Sequence, residues 1–424
     1  MKALVFERNL PRFAASRVAS MLGSGRGAAV GPLRLLETEA PELPGPDWYR
    51  LTPRLSGICG SDLATLDGRS SRYFEELVSF PFVPGHEVVG TLDAEAVAAD
   101  GRPLAAGSRV VIEPVLGCAA RAVEPHCPSC AAGQTGDCEQ VAFGHLRPGL
   151  QTGFCADTGG GWSAAGLVAH RSQLHAVDEM VSDDEAVTIE PVACAVHAVL
   201  AAGIGEGQTV AVLGAGTLGL AVVAALSHLA RTGRVPQPAT VLVGGRYPHQ
   251  RELAAALGAT EALPAEQLAR AVRRRSRSLA LGGPAGESRQ LTGGAEVVLD
   301  CVGSSASISQ SLAMVRPRGR LVLVGMPGKV HVDLASLWHR EVTLAGTYAY
   351  GLEQPADGPP VRTFELAAEV AAAMGTGRLV SARYPLERFE EAVAHAGAAG
   401  RRGAVKVAFD LRAGQRTSSR KGTP

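Results

Sequence analysis

The fold of this chain is indicated most directly by one stretch, Val210-Ala211-Val212-Leu213-Gly214-Ala215-Gly216-Thr217-Leu218-Gly219. An apolar run leads into a glycine-rich turn, and the alanine-rich residues 220–225 that follow favour a helix. A strand, a tight turn and a helix in this order form the phosphate-binding corner of a dinucleotide-binding sheet. Gly214 is expected to permit the turn, Gly216 to let the backbone approach a pyrophosphate, and Gly219 to let the helix pack closely on the strand.

Further apolar runs follow this turn, at residues 240–243, 296–299 and 320–324, with helical patterns between them. Apolar runs that alternate with helices predict a parallel sheet that is covered on both faces. We therefore expect a doubly wound α/β domain over residues 194–347.

The rest of the chain has a different residue pattern. Residues 1–193 are rich in proline, glycine and short β-type runs, which predicts an irregular antiparallel β domain. The β texture returns over residues 348–410, so we expect this segment to rejoin the first domain. Residues 9–32 interrupt the first strand pair and have the composition of an insertion, while residues 411–424 offer nothing to bury and are expected to be disordered.

The charge balance excludes several classes of partner. Lys and Arg together number 41, as do Asp and Glu, and a net charge of zero argues against binding to nucleic acid or to a membrane surface. The first residues, Met1 to Glu7, have the pattern of a strand and not of a signal peptide. Clustered cysteines suit metal binding in a reducing compartment, so we expect a cytoplasmic protein.

Four residues have the composition of a catalytic metal site. Cys59 lies in Gly57-Ile58-Cys59-Gly60-Ser61-Asp62, His86 and Glu87 follow Gly85, and Glu190 precedes Pro191. One thiolate, one imidazole and one carboxylate form a ligand set that catalytic zinc uses, with a fourth position open. Each residue also has an ordinary structural explanation, such as a buried thiol, a turn residue or an acid at a helix N-terminus.

Taken together, these motifs resemble the zinc-dependent medium-chain dehydrogenase/reductase family, which includes alcohol, polyol and threonine dehydrogenases. The resemblance runs from Met1 to about Phe409. It implies a GroES-like irregular β catalytic domain and a Rossmann domain with a doubly wound parallel sheet.

The resemblance also implies roles for single residues. Cys59, His86 and Glu190 would bind the catalytic zinc, and Glu87 would lie close enough to replace the metal's water during exchange. Two further residues of the motif around Cys59 complete the set of implied site residues.

Ser61 would pass a proton between the bound alcohol and solvent. Asp62 would hydrogen-bond the far nitrogen of His86 and so fix its tautomer. The implied catalytic residues are therefore Ser61, Asp62 and Glu87.

A second cysteine cluster, at about residues 115–140, resembles the family's structural zinc lobe. The C-x2-C-x7-C part consists of Cys127, Cys130 and Cys138. The family has a further cysteine where this chain has Glu124. Cys118 is the favoured fourth ligand, reaching in through a longer loop of residues 119–126, because thiolates suit structural zinc. Glu124 as an oxygen ligand, or a lobe without metal, are the alternatives.

The cofactor site is expected to include residues that end later strands as well as the first turn. Besides the three glycines of that turn, the predicted set is Thr217, Leu218, Gly245, Arg246, Cys301, Val302, Gly303, Val324 and Gly325. Gly245 stands where NAD users of the family carry an acid, and Arg246 can pair with a 2′-phosphate. We therefore predict that NADP(H) is preferred over NAD(H).

These predictions combine into one function. We expect a zinc-dependent, NADP(H)-linked oxidoreductase that interconverts a secondary alcohol and a ketone or aldehyde by hydride transfer, working on a small molecule as a homodimer or homotetramer. An NADPH-dependent conjugate reductase of an activated alkene is the alternative among enzymes. A non-catalytic zinc- or nucleotide-binding module is the alternative of a different class.

Overall fold

The computed structural model describes residues 1–282, 290–355 and 358–412. The chain divides into two compact units, one of Met1–Glu190 with Gly375–Pro424 and one of Pro191–Met374. In chain order the strands are β1 (Lys2–Phe6), β2 (Leu33–Glu37), β3 (Trp48–Gly57), β4 (Val88–Leu92), β5 (Ala96–Val97), β6 (Pro103–Leu104), β7 (Arg109–Ile112), β8 (Leu167–His170), β9 (Leu174–Ala176), β10 (Thr209–Leu213), β11 (Thr240–Gly245), β12 (Glu261–Pro264), β13 (Ala295–Asp300), β14 (Val315–Leu323), β15 (Thr343–Gly346), β16 (Leu352–Glu353), β17 (Val361–Arg362), β18 (Val380–Tyr384) and β19 (Lys406–Asp410).

The α-helices lie between these strands. In chain order they are α1 (Leu10–Ser20), α2 (Gly60–Leu66), α3 (Pro128–Ala131), α4 (Asp183–Ala186), α5 (Ile189–Ala201), α6 (Thr217–Arg231), α7 (Pro248–Ala256), α8 (Leu268–Arg275), α9 (Ser305–Met314), α10 (Ala335–His339), α11 (Thr363–Met374) and α12 (Phe389–Gly397). Short 3₁₀ turns lie at Arg72–Leu77, Thr135–Asp137, Arg171–Gln173, Ala265–Gln267, Thr376–Leu379, Leu386–Arg388 and Ala399–Arg402.

The first unit is built on a mainly antiparallel sheet. Its strand order is β18-β19-β3-β4-β7-β9, with β8 also paired to β3. The pairs of β3 with β4, β8 and β19 are antiparallel, as the short β-type runs predict, whereas β18 and β19 run parallel. Leu51 and Leu55 on β3 are fully buried. The apolar face of this long strand therefore anchors the core of the unit.

The pairing of three strands places their ends side by side. Glu87 immediately precedes β4, Cys59 follows two residues after β3, and Lys406 begins β19. The register pairs Ser56 with Val88 across β3 and β4, and Gly57 with Ala408 across β3 and β19. Sheet pairing thus gathers three chemically reactive side chains at one place.

The second unit contains a six-stranded parallel sheet in the order β12-β11-β10-β13-β14-β15. The predicted α/β architecture is confirmed, and the predicted strands correspond to β10, β11, β13 and β14. The strand order reverses on either side of β10. In sheets of this kind, ligands bind at the carboxyl edge beside that reversal.

The boundary of this unit differs from the one expected. Residues 348–374 were assigned to the first domain from their β texture, but they lie in the second unit. Helix α11 is bound to this unit through Glu369, which accepts a hydrogen bond from His228 of α6 at 2.7 Å and one from Arg234, just after α6, at 2.6 Å. The short strands β16 and β17 lie next to this helix. They account for the β-type residue pattern of the segment, but they do not belong to the sheet of the first unit.

Residues 9–32 stand between the antiparallel strands β1 and β2 and contain α1, which the sequence did not predict. The segment packs against the residues that follow α2. The buried Asp67 carboxylate accepts hydrogen bonds from the Ser24 hydroxyl at 2.6 Å and the Gly25 amide at 3.0 Å. The insertion is therefore tied to the helix that begins just after Cys59.

The expected disorder of residues 411–424 is wrong at its start. Leu411 is buried, and Arg412 pairs with Asp410 at 2.6 Å and with Asp183 at 3.3 Å. Residues 413–424 lie outside the described part of the chain, as do residues 283–289. Among the described helices, none has the length and apolar character needed to cross a membrane.

Candidate active site and metal centres

Three of the predicted site residues meet in the first unit. The ligand atoms of Cys59, His86 and Glu87 all lie within 4.8 Å of one another. His86 and Glu87 are buried, and Cys59 is half-buried at the N-terminus of α2. A thiol, an imidazole and a carboxylate at these separations can hold a divalent metal such as zinc.

Two glycines make the approach of these side chains possible. Gly85 has a φ of +99°, and a Cβ there would lie 2.5 Å from the Trp162 ring. At Gly57 a Cβ would lie 1.8 Å from a carboxylate oxygen of Glu87. The glycines of both motifs are therefore steric requirements of the site.

Asp62 organises two members of the cluster. One carboxylate oxygen accepts a hydrogen bond from the Cys59 amide at 2.8 Å, and the other lies 3.5 Å from His86 Nδ1. Burial opposes the charge of His86, but Asp62 and, more weakly, Cys59 outweigh it and raise the pKa of the imidazole well above its usual value. With Nδ1 directed to Asp62, Nε2 is left for a metal.

Ser61 and Glu190, which were also expected in this site, lie in the same unit, each in the first turn of a helix. Ser61 is half-buried in α2, two residues after Cys59. Glu190 is buried in α5, but its carboxylate is not one of the atoms grouped within 4.8 Å around Cys59.

Lys406 is the residue of this site that the sequence interpretation missed. Its side chain is fully buried, its ammonium group pairs with the Glu87 carboxylate, and it donates to the Ile58 carbonyl at 3.3 Å. Burial disfavours the ammonium charge, yet Glu87 and, more weakly, Cys59 and Glu190 keep the pKa of Lys406 above its usual value. The sequence did contain a signal for this residue: Lys406 is the first residue of β19, and the three residues after it are apolar and buried.

The second cluster brings four cysteines together. The sulfurs of Cys118, Cys127, Cys130 and Cys138 all lie within 4.8 Å of one another, with Cys118 Sγ 3.7 Å from Cys138 Sγ. Glu124, the alternative fourth ligand, has a side chain that is 78 % exposed and pairs with His126 at 3.3 Å. Four thiols at these separations fit a closed tetrahedral zinc site, as the longer loop suggested.

Backbone amides point at every sulfur of this cluster. Cys127 N donates to Cys118 Sγ at 3.4 Å, Cys130 N to Cys127 Sγ at 3.5 Å, Cys118 N to Cys130 Sγ at 3.5 Å and Gln140 N to Cys138 Sγ at 3.4 Å. Amide donors favour the thiolate over the thiol. For Cys127, burial works against ionisation, but the amide bonds from Cys130 and Glu139 and the neighbouring Cys118 and Cys130 thiols outweigh it and lower the pKa to about 7. Burial instead raises the pKa of Cys138 to about 11 and raises that of Cys130 as well. A metal cation would therefore be needed to hold all four sulfurs as thiolates.

The glycine-rich turn of the second unit has the shape that a phosphate requires. Gly214 has a φ of +101°, and a Cβ at Gly219 would lie 1.8 Å from the Gly214 carbonyl oxygen. Gly216 precedes α6, and no described atom lies within 4 Å of a Cβ built there. A side chain at Gly216 would fill the space above the helix N-terminus, where a pyrophosphate binds in this kind of turn, and Thr217 and Leu218 open that helix.

One aspartate joins the next two turns of the same sheet edge. The Asp300 side chain accepts hydrogen bonds from the amides of Val302 and Gly303, at 2.8 and 3.0 Å. Its backbone carbonyl accepts bonds from the amides of Val324 and Gly325, both at 2.9 Å. Cys301 is half-buried beside it, and desolvation together with the Asp300 charge raises the pKa of its thiol. All these residues follow β13 or β14 at the carboxyl edge of the sheet.

Beside them, β11 ends in a turn with two arginines. Arg246 is exposed and lies over the Tyr247 ring, 5.8 Å from its centroid. Arg251 donates to the carbonyls of Gly245 and Arg246, at 3.2 and 3.3 Å. A Cβ at Gly245 would lie 3.0 Å from both Ala215 Cβ and Arg251 Cγ, so this turn has little room for an acidic side chain.

Comparison with known proteins agrees with the description of both the first unit and the second unit. Residues 45–179 match the family model of the alcohol dehydrogenase GroES-like domain, and residues 237–367 match that of zinc-binding dehydrogenases. Sorbitol dehydrogenase of Arabidopsis thaliana is 31 % identical over 310 residues, which cover 72 % of this chain and 75 % of that protein. The human sorbitol dehydrogenase is 29 % identical over 367 residues, covering 85 % and 89 % respectively.

Solved structures give the same result. A protein of Sinorhizobium meliloti 1021 described as a zinc-binding dehydrogenase, with NADP bound, superposes with a TM-score of 0.64 at 28 % identity. The match covers 89 % of this chain and 95 % of the other.

The buried pair of Lys406 and Glu87 generates a prediction about stability. Lys406→Met should lower the free energy of unfolding by about 3–5 kcal/mol, because it leaves the Glu87 carboxylate buried without its counter-ion. Urea unfolding followed by circular dichroism measures the change. The double variant Lys406→Met with Glu87→Gln removes both charges and should recover most of the loss. A single variant as stable as the wild type would contradict the importance of this pair.

Proposed function

The chain belongs to the zinc-dependent medium-chain dehydrogenase/reductase family, and we propose that it uses zinc and NADP(H) to interconvert a secondary alcohol and its ketone or aldehyde. It is an alcohol-dehydrogenase-type oxidoreductase by its relatives. This membership rules against the non-catalytic binding module. The observation that carries the proposal is the group formed by Cys59, His86 and Glu87, which Asp62 orients.

Two carboxylates could complete the ligand set of Cys59 and His86. Glu87 lies within 4.8 Å of both, and its carboxylate pairs with the Lys406 ammonium inside the protein. On the resemblance of Glu190-Pro191 to the family motif, we propose Glu190 with Cys59 and His86 as zinc ligands, and Glu87 as the group that takes a place during exchange.

When bound, zinc supplies Lewis acidity that polarises the carbon–oxygen bond of the substrate, and the nicotinamide gives or accepts the hydride. Ser61 hands the hydroxyl proton of the substrate on to solvent, and its place in the first turn of α2 keeps it near Cys59. Asp62 holds the His86 ring in one orientation throughout.

The turn after β11 supports NADP(H) as the preferred cofactor. Gly245 offers no carboxylate that would accept a bond from a ribose hydroxyl or repel a phosphate. Arg246 is exposed beside it, and Arg251 adds a second positive charge while holding the backbone of the turn. The S. meliloti relative, whose structure contains NADP, fits this preference.

The named relatives also suggest the substrate class. Both sorbitol dehydrogenases act, by their names, on a polyol. We propose a polyol or a similar secondary alcohol as the small-molecule substrate.

We further propose a homodimer or homotetramer in the cytoplasm. β15 is the last strand of its sheet, and its neighbourhood exposes Trp338 by 80 %, Leu334 by 54 % and Leu344 by 40 %. An apolar surface beside an unpaired sheet edge favours association with a second copy. The eight cysteines, all within the described residues, form no disulfide bond with one another, which suits a reducing compartment.

Removal of the Ser61 hydroxyl tests the proton path. Ser61→Ala should lower kcat for alcohol oxidation roughly 100-fold, the contribution of one positioned proton-transfer group. Ser61→Thr is the matched control, since it keeps the hydroxyl and should remain close to wild type. Steady-state rates of NADPH formation measure both. Equal rates for the alanine variant and the wild type would show that the proton leaves by another route.

Arg246 provides the test of cofactor preference. Arg246→Ala should weaken NADPH binding roughly 10- to 100-fold, the equivalent of a lost charge-assisted hydrogen bond, and leave NADH binding nearly unchanged. Fluorescence titration gives both dissociation constants. Arg275→Ala, an exposed arginine of α8, is the control and should change neither. A wild type that binds NADH more tightly than NADPH would contradict the preference.

A further inference from the structure

The insertion of residues 9–32 contains a helix whose apolar side chains face outward. The buried residue of α1 is Ser16, and its hydroxyl donates to the Leu66 carbonyl. The opposite face of the helix is apolar and exposed. Its residues recur at a spacing of three or four, and they are Leu10, Ala14, Val18 and Met21. A helix that packs on a protein core has the reverse arrangement, with its apolar face buried.

These outward side chains are largely free of protein contact. The exposed fraction is 74 % for Leu10, 65 % for Val18 and 82 % for Met21, and Leu22 extends the row with 76 %. Single apolar residues are common on protein surfaces, but a contiguous row of them marks an interaction site. Because the side chains project from the helix and do not line a groove, they suit a partner into which they can insert.

The insertion is fixed in this orientation by close contacts within its own unit. The buried Asp67 carboxylate accepts a hydrogen bond from the Gly25 amide at 3.0 Å. A Cβ at Gly25 would lie 2.3 Å from the Val393 carbonyl oxygen, and a Cβ at Gly27 would lie 2.1 Å from Ser16 Oγ. The helix would have to break these contacts to turn its apolar face inward.

The charge of this part of the chain is one-sided. Residues 8–36 contain five arginines and no aspartate or glutamate, although the net charge of the whole chain is zero. Arg8 lines a cavity with acidic residues that include Glu75. Arg17 in α1 and Arg26 beyond it are exposed, and neither forms an ion pair within the described residues. Their positive charge is therefore available to an anionic partner.

We propose that the insertion docks the protein onto an anionic lipid membrane, with α1 lying in the plane of the interface. A helix of this kind buries its apolar face about 5–10 Å deep at the boundary of headgroups and acyl chains, while its basic residues bind the anionic lipids. The 11 residues of α1 are too few to cross a bilayer. The net charge of the whole chain argued against a membrane surface, but the charge of residues 8–36 differs from it.

Other occupants fit this surface less well. A second copy of the chain would bring the arginines of both copies together, and like charges repel. An acidic protein would need a groove that matches α1. A bilayer needs no matching shape, and it accommodates both the apolar row and the positive charge.

Cosedimentation of the full chain with sucrose-loaded vesicles tests the docking. The protein should bind vesicles of phosphatidylserine and phosphatidylcholine in equal parts, and bind phosphatidylcholine alone at least about 10-fold more weakly, because the attraction of the arginines is lost. Val18→Ser with Met21→Ser should lower the partition constant roughly 100-fold, since each apolar side chain contributes about tenfold when buried. Met180→Ser, at a methionine that is 91 % exposed elsewhere in the same unit, is the matched control and should bind like the wild type.

The arginines have their own test in the same assay. Arg17→Gln with Arg26→Gln should lower the partition constant about 5-fold for each charge removed. Arg102→Gln removes one charge from an arginine that is paired with Asp100, and it should bind like the wild type. Added NaCl should weaken wild-type binding, because it screens exposed charges. Circular dichroism spectra that match the wild type show that the variants fold.

Several results would overturn the proposal. They are a wild type that does not sediment with the anionic vesicles, equal binding to both kinds of vesicle, or a Val18→Ser, Met21→Ser variant that binds like the wild type. Binding to poly-glutamate but not to vesicles would assign the surface to an acidic protein instead. A smaller oligomer for the same variant in analytical ultracentrifugation, without vesicle binding by the wild type, would assign it to a second copy.

Hydrogen exchange of the wild type tests the docking without any substitution. The amides of residues 10–22 should become protected when the anionic vesicles are added, because the helix then lies in the interface. Unchanged exchange in these residues would overturn the proposal.

Discussion

The buried ion pair between Lys406 and Glu87 is the constraint on which the candidate active site depends. It joins the start of β19 to the residue before β4, and β3 lies between these strands in the sheet. Gly57 has no side chain because the Glu87 carboxylate occupies that space. The pair with Lys406 holds the Glu87 carboxylate beside Cys59 and His86. Sheet pairing, the glycine at position 57 and the ion pair thus all contribute to the position of Cys59, His86 and Glu87.

The two cysteine-containing centres differ in ways that match two different tasks. The Cys59 centre mixes three kinds of side chain, and its members are held by a carboxylate, Asp62, and a buried lysine. Such a mixed set leaves a coordination position for substrate. The lobe offers four sulfurs, each with its own amide donor, and this is the ligand set of a closed structural zinc site. The first arrangement supports catalysis, and the second supports folding.

The sequence was most informative where spacing alone determines geometry. The glycines at 214, 216 and 219 predicted the turn, because Gly214 is required by backbone conformation and Gly219 by close packing, while Gly216 leaves space for a phosphate. Lys406 was not predicted, since its partner Glu87 lies far away in sequence and a pair of this kind leaves no pattern of spacing. Helix α1 was missed because its residues form an insertion whose contacts, such as those with Asp67, are tertiary. The domain boundary expected near residue 348 differs from the observed one for the same reason. The packing of α11 on α6 is a tertiary contact, and the local residue pattern does not indicate it.

We propose that hydride passes between a secondary alcohol and NADP(H) at a metal held by Cys59. Incubation of the enzyme with NADP⁺ and a secondary alcohol deuterated at the carbinol carbon tests it directly, with mass spectrometry of the nicotinamide as the measurement. The account predicts deuterated NADPH from the wild type and none above background from Cys59→Ala, although both proteins bind NADPH with equal affinity. Equal deuterium transfer by the two proteins would contradict it.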